Sequence, residues 1–271
     1  MRLRATKLSA ISFGSGKRLD SAASSYIKLI KAAGATVTSL QQKAINSFIV
    51  SEKVAGRWDS HKRLYLPIWG LASANAICLR TGLSGTFVNS PTQGAGFVQG
   101  NGATSYFNTN ATVGDFGWTD ATCLIGALIY QNSTIDATIG GFADATHRAI
   151  LTRFGGSLGG NHPVSGIFLN AGTPTGICAI SATGTAMRRL HRRATSGFST
   201  PAQNVTTSTA TLTTTRQVSF MARNTAGVIT NYSDARFGAF FGGLGQSTAD
   251  FEAFSLNLKT LWETCTGLTI P

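Results

Sequence analysis

Residues 82–110 read GLSGTFVNSPTQGAGFVQGNGATSYFNTN. Three short apolar or aromatic runs lie around Phe87, at Phe97-Val98 and at Tyr106-Phe107. Ser-Pro-Thr, Gly-Ala-Gly and Gly-Asn-Gly-Ala-Thr separate them, and such clusters form turns. Glycine takes positive φ without steric cost, so chain reversals fit between the runs. Before this stretch the chain reads as helical and basic. After it the chain reads as short strands with little charge. The stretch therefore opens a β-domain on which the other segments hang.

Downstream, runs such as Ala121–Tyr130, Ala137–Phe142, Ala149–Phe154, Gly176–Ser181, Ala186–Arg193 and Arg236–Gly242 predict strands. So do Ala76–Leu79, Gly166–Leu169, Thr209–Thr214 and Gln217–Arg223, with GGSLGG and NAGTPTG as turns. Strands at this spacing, with no helical pattern between them, predict a mainly β fold, an antiparallel β-sandwich. Upstream, Asp20 or Ser21 can cap a helix with Ala23, Ile27 and Ile30 on one face. Ser39 and Gln42 have capping-box spacing ahead of a second helix carrying Phe48 and Ile49, which Gly56 ends. A short helical hairpin thus precedes the sandwich. Phe251, Phe254, Leu258, Leu261 and Trp262 predict a closing helix over 248–265. The expected organisation is a basic arm over 1–19, a helical docking module over 20–70, and a sandwich with its C-terminal helix over 71–271.

Composition sets bounds on function. Charged residues make up 13% of the 271 residues, low against the usual quarter or so. The net charge of +12 is uneven. Residues 1–70 hold 12 Lys and Arg against 3 Asp and Glu, and the rest hold 11 against 8. That asymmetry is not the pattern of a uniformly basic nucleic-acid binder, and nucleic acid is not the expected partner. No apolar run approaches the roughly 18 residues a membrane span needs, so no membrane partner is expected. Cys78, Cys123, Cys178 and Cys265 are far apart and read as buried free thiols, with a disulfide between two of them as the alternative. Without clustered ligands, neither a metal nor another cofactor is expected.

Two stretches carry a resemblance. YIKLIKAAGATVTSLQQKAINSFIVSEKVAGRWD resembles the opening of a group of bacteriophage proteins in which two helices lead into a concanavalin A-like (LamG-like) β-sandwich. GNGATSYFNT resembles their Gly-x-Gly-Ser-x-x-Tyr strand start, and FMARNTAGVITNYSDARFGAFFGGLGQSTADFEAF their late strands and closing helix. The resemblance spans most of residues 20–265. It implies a jelly-roll sandwich and a virion component of tail, baseplate or capsid surface, assembled in the bacterial host cytoplasm. The implied partners are other virion proteins, with many copies in a symmetric assembly, and a host surface glycan as the alternative.

Several side chains are candidates for that work. Arg2, Arg4, Lys7, Lys17 and Arg18 give the arm its charge, and Ile27, Ile30, Phe48 and Trp58 are apolar anchors for a docked protein. MRRLHRRATSGFST holds Arg188, Arg189, His191, Arg192 and Arg193. Strand alternation places Arg189 with His191 and Arg193 on one face and Arg188 with Arg192 on the other. Arginine suits carboxylate or phosphate, so this strand reads as an anion or partner site, or as a charged edge that blocks unwanted pairing. Trp118 and Tyr232 are candidates for a glycan platform. Glycosidases need two carboxylates about 5–9.5 Å apart. Glu52, Glu252 and Glu263 all fall in helical segments, and Asp115 and Asp120 flank an aromatic loop. No catalytic residue is expected, and a virion-associated depolymerase ranks behind the binding readings.

Overall fold

The computed structural model describes residues 18–143, 148–155, 157–161, 174–185, 187–205, 212 and 214–271. Helices α1 (Ser21–Ala32) and α2 (Ser39–Val54) come first. Strand β1 (His61–Tyr65) follows a single 3-10 turn, and the four-residue α3 (Ala72–Asn75) follows β1. The chain then forms β2 (Thr86–Val88), β3 (Thr92–Gly94), β4 (Phe97–Gln99), β5 (Tyr106–Thr112), β6 (Thr122–Gln131) and β7 (Ala137–Ala143). Next come β8 (Arg148–Phe154), β9 (Ser157–Asn161), β10 (Gly176–Thr183), β11 (Met187–Ala194) and β12 (Gly197–Val205). Strands β13 (Gln217–Phe220), β14 (Arg223–Thr225), β15 (Val228–Thr230) and β16 (Arg236–Gly243) lead to α4 (Thr248–Thr266).

These strands form two sheets. One runs β12-β11-β10-β6-β16-β4-β3, with β1 also on β16. The other runs β15-β14-β7-β13-β5-β2, with β8 on β7 and β9 on β8. Pairing is antiparallel except for a short parallel contact between β14 and β7. The expected mainly β sandwich with its leading hairpin and closing helix is present.

Strand β6 shows why the first sheet is the middle of three layers. Its sequence TCLIGALIYQ is apolar in both phases, as a strand covered on both faces must be. Cys123, Ile125, Ala127 and Ile129 enter the core between the sheets, where Phe107, Phe142, Phe220 and Phe240 meet them. Leu124 and Leu128 point the other way, into a second cluster with α1, α2 and α4. Full burial of each large aliphatic side chain stabilises by about 1.5–3 kcal/mol, so this strand ties the layers together. The helices dock closely enough that Gly238 of β16 faces Trp262 of α4. A Cβ there would lie 2.3 Å from Trp262 Nε1, which donates to the Gly96 carbonyl at 3.0 Å.

Three local expectations are corrected. The capping box of α2 is Thr38 with Gln41, one residue ahead of Ser39 and Gln42. Residues 76–79 make only isolated bridges, Tyr65 to Cys78 and Ile77 to Ser84, because α3 occupies the preceding turn. The run 217–223 is broken at Met221, whose φ of 66° ends β13 and starts a bend into β14. Residues 166–169 and most of 209–214 lie outside the described residues.

The apolar docking anchors are also corrected. Ile27, Ile30, Phe48 and Trp58 are 5%, 0%, 3% and 6% exposed and belong to the cluster shared with the first sheet. Their helical spacing marked an inward face, and the sheet and α4 cover it. The segment 61–65, placed in the docking module, is a strand of the sandwich. Of the basic arm, Arg18 is described and exposed. Arg2, Arg4, Lys7 and Lys17 lie outside the described residues.

Candidate functional site

The outer face of the second sheet carries the site. In β5, Phe107 points into the core, so Tyr106 and Asn108 point outward. In β13, Val218 and Phe220 point inward, leaving Gln217 and Ser219 outside. Ser219 pairs with Asn108 across the strands, which puts the two polar sets side by side. With Arg216, Asn224 and Ile229 they line a hollow of about 360 Å³.

Hydrogen bonds hold its walls. Asn108 Nδ2 donates to Gln217 Oε1 at 3.3 Å, and Asn224 Nδ2 donates to the Gln217 carbonyl at 3.0 Å. Asn224 Oδ1 accepts from the Gly227 amide at 2.8 Å, which fixes the β14–β15 turn beside it. Tyr232 donates to the Ile229 carbonyl at 3.1 Å, and its ring lies 6.3 Å from that of Tyr106. The Arg216 backbone carbonyl accepts from Val113 N at 2.8 Å. Its buried Nε has no hydrogen-bond partner among the described residues. None of the described lining residues is Asp or Glu. The hollow thus offers amides that donate and accept, a tyrosine edge and one guanidinium.

The arginine strand does something else. β11 is not an edge, because β12 covers it. Alternation holds as expected. Arg189, His191 and Arg193 pair with Ser181, Ala179 and Ile177, while Arg188 and Arg192 pair with Ala182 and Cys178. Arg188 is buried and donates to the Thr185 and Asp120 carbonyls, and Arg192 Nε donates to the Thr175 carbonyl at 2.8 Å. Arg189 reaches Thr183 Oγ1 at 2.9 Å. Arg193 donates to Ser255 Oγ at 2.7 Å and to the Glu252 carbonyl at 2.8 Å, both on α4. His191 stacks on Phe251 at 4.8 Å, and burial, reinforced by Arg189, pushes its pKa down to about 4. Both readings of this stretch, exposed anion site and charged edge, are corrected. These guanidiniums stitch strand ends and a helix to the sheet.

Trp118 is corrected too. It is 1% exposed, donates from Nε1 to the Leu124 carbonyl at 3.1 Å and packs 4.7 Å from Phe116. Tyr232 is half-buried and has Tyr106 as its aromatic neighbour instead. Three described carboxylates of the sandwich loops are engaged in local bonding. Asp115 accepts from Thr112 N and Oγ1, Asp136 from Arg153 and Gly155, and Asp234 from Ser133 and Thr134. The backbone bond from Thr112 leads in holding the Asp115 pKa below its ordinary value. Among the described residues no group of three or more His, Cys, Asp and Glu is placed to hold a metal ion. No described helix is long and apolar enough to cross a membrane.

No protein-family model matches the sequence, and no curated protein matches it. Solved structures do align. Domain 4 of an extracellular family 43 arabinanase from Geobacillus stearothermophilus, in complex with arabinotriose, matches at 10% identity and a TM-score of 0.44. The match covers 72% of this chain and 98% of that one. A mutant Trypanosoma rangeli sialidase with trans-sialidase activity matches at 8% identity and 0.49, over 81% of this chain and 39% of that one. A family 54 α-L-arabinofuranosidase matches at 12% and 0.38, over 73% and 43%. The chain spans less than half the length of these last two proteins.

Sequence reading missed Tyr106, Asn108, Arg216, Gln217 and Asn224 as a group. The signal available was phase. Tyr-Phe-Asn and Gln-Val-Ser-Phe each alternate, so polar residues fall on the off-core positions. What brings the two runs together is the pairing of β5 with β13, more than 100 residues apart, and no local pattern encodes that pairing.

Proposed function

We propose that the chain is a non-catalytic saccharide-binding sandwich displayed on a bacteriophage particle. The observation that carries the binding role is the hollow on the second sheet: outward amides from three strands, a tyrosine edge and no carboxylate among the described lining residues. Sugar hydroxyls donate and accept at once, which is what Asn and Gln side chains match. Tyrosine rings offer an apolar surface with a polar tip to the C–H side of a sugar ring. Hydrolysis of a glycosidic bond asks for two carboxylates flanking it, and the described lining supplies none. The phage setting rests on the resemblance over residues 20–265, with neighbouring virion proteins as the partners that hold the chain in place. With the four apolar candidates inside the core, Arg18 and the residues before it are the docking element in this reading.

Two measurements test it. Calorimetric titration of the purified protein with host surface polysaccharide fragments is expected to show binding that Tyr106→Ala weakens about tenfold or more, without release of reducing ends. Labelling of purified particles is expected to place the protein on their surface. Absence of any binding removes the saccharide role, and absence from particles removes the setting.

A further inference from the structure

We infer that the hollow selects saccharides that carry a carboxylate, with Arg216 as the residue that reads it. This rests on the saccharide-binding reading above and names its ligand class. Arg216 lines the hollow, its Nε is buried, and no hydrogen bond or ion pair from its guanidinium is found among the described residues. Arg63 and Arg153 also have a buried Nε without a partner, but each sits beside an acid, Asp115 and Asp136, and Arg223 donates to Thr225 Oγ1. Asp115, close by in sequence to the β5 end that pairs with Gln217, is already committed to Thr112 and lies 3.8 Å from Arg63. A buried donor without an acceptor costs stability. A half-buried guanidinium with one such nitrogen beside neutral amides can take an anion as its partner. Guanidinium and carboxylate are planar and match through two parallel hydrogen bonds, and charge-assisted bonds are about twice as strong as neutral ones. Asn108, Gln217 and Asn224 add no negative charge that would repel the ligand. An acidic sugar supplies both the carboxylate and the hydroxyls that the remaining lining can bond.

The test uses the full chain and a panel of oligosaccharides containing hexuronic acid, each also prepared with its carboxyl reduced to the neutral hexose. The acid forms are expected to bind at least roughly tenfold more tightly than the reduced forms. Arg216→Gln is expected to erase that difference while leaving the thermal midpoint near that of the unsubstituted protein. Arg216→Lys, which keeps the charge but not the planar fork, is expected to retain part of it. Equal binding of acid and reduced forms, or an acid preference that survives Arg216→Gln, overturns this inference and leaves the saccharide reading standing. Failure of acid, reduced and neutral oligosaccharides alike overturns both.

Discussion

Glu52 and His61 meet where α2 gives way to β1, with the carboxylate Oε2 3.0 Å from the imidazole Nε2. Arg57 closes on the same carboxylate with two bonds of 2.8 and 3.0 Å, and Asn257 reaches it from α4 at 2.6 Å. Glu52 has no exposed surface. Burial alone would raise its pKa, but these donors outweigh burial and hold it at about 2. The folded value is depressed, so the stabilisation is complete above about pH 4.5 and is lost as pH falls toward 2. It amounts to roughly 3 kcal/mol. Glu52→Gln is expected to lower the thermal midpoint by several degrees at pH 7, and the gap to the unsubstituted protein should close near pH 2. A constant gap across that range would show that the carboxylate charge is not what holds the node.

His191 is expected to make folding sensitive to mild acid. Its pKa, lowered to about 4 by burial first and Arg189 second, lies below the ordinary 6.5. The unfolded chain therefore binds the extra proton first, and stability falls as pH drops from 6.5 toward 4. His191→Phe keeps the stack on Phe251 and cannot take up the proton. Denaturant midpoints for this variant should change less than those of the unsubstituted protein over that window, and parallel curves would count against the assignment.

The arginines of β11 are expected to matter for the fold. Arg193→Ser removes two hydrogen bonds to α4, each worth about 1–3 kcal/mol when its partner is left buried. Chemical denaturation should show a loss on that order. A variant as stable as the parent would return these side chains to the surface role that their sequence suggested.

Gly238→Ala is expected to cost about 1–3 kcal/mol by overpacking, since the new methyl group would press on the Trp262 indole at 2.3 Å. Loss of protection from hydrogen exchange in α4 should accompany the lower stability. Unchanged exchange there would mean that the helix accommodates the methyl by a small shift.

The legible parts were those written in one stretch of chain. The strand β6 and the inward stripe of α4 could be read directly. The α2 cap was off by one because Thr38-Ser39 offers two hydroxyls, and only the bond to Gln41 decides between them. β12 was invisible: GFSTPAQNV has weak strand character and a proline. The register shift between Leu190 and Arg192 accommodates Pro201 there, as an edge strand can. Missing that strand turned the interior β11 into an edge and its arginines, two buried and two half-buried, into a surface patch. Ile27, Phe48 and Trp118 were misplaced for a related reason: periodicity says which residues share a face, while tertiary packing says what covers it.

The three-layer stacking gives the molecule two unlike ends. Arg18 and α1 belong to the helical layer on one side of the first sheet, and the hollow opens on the far side of the second. Sheets pack about 10 Å apart, so both sheets separate the amino-terminal side from the hollow. A chain gripped through its helices therefore turns the hollow outward, away from whatever grips it. Occupying one side leaves the other free, so under the proposed function anchorage and capture need not compete for the same surface.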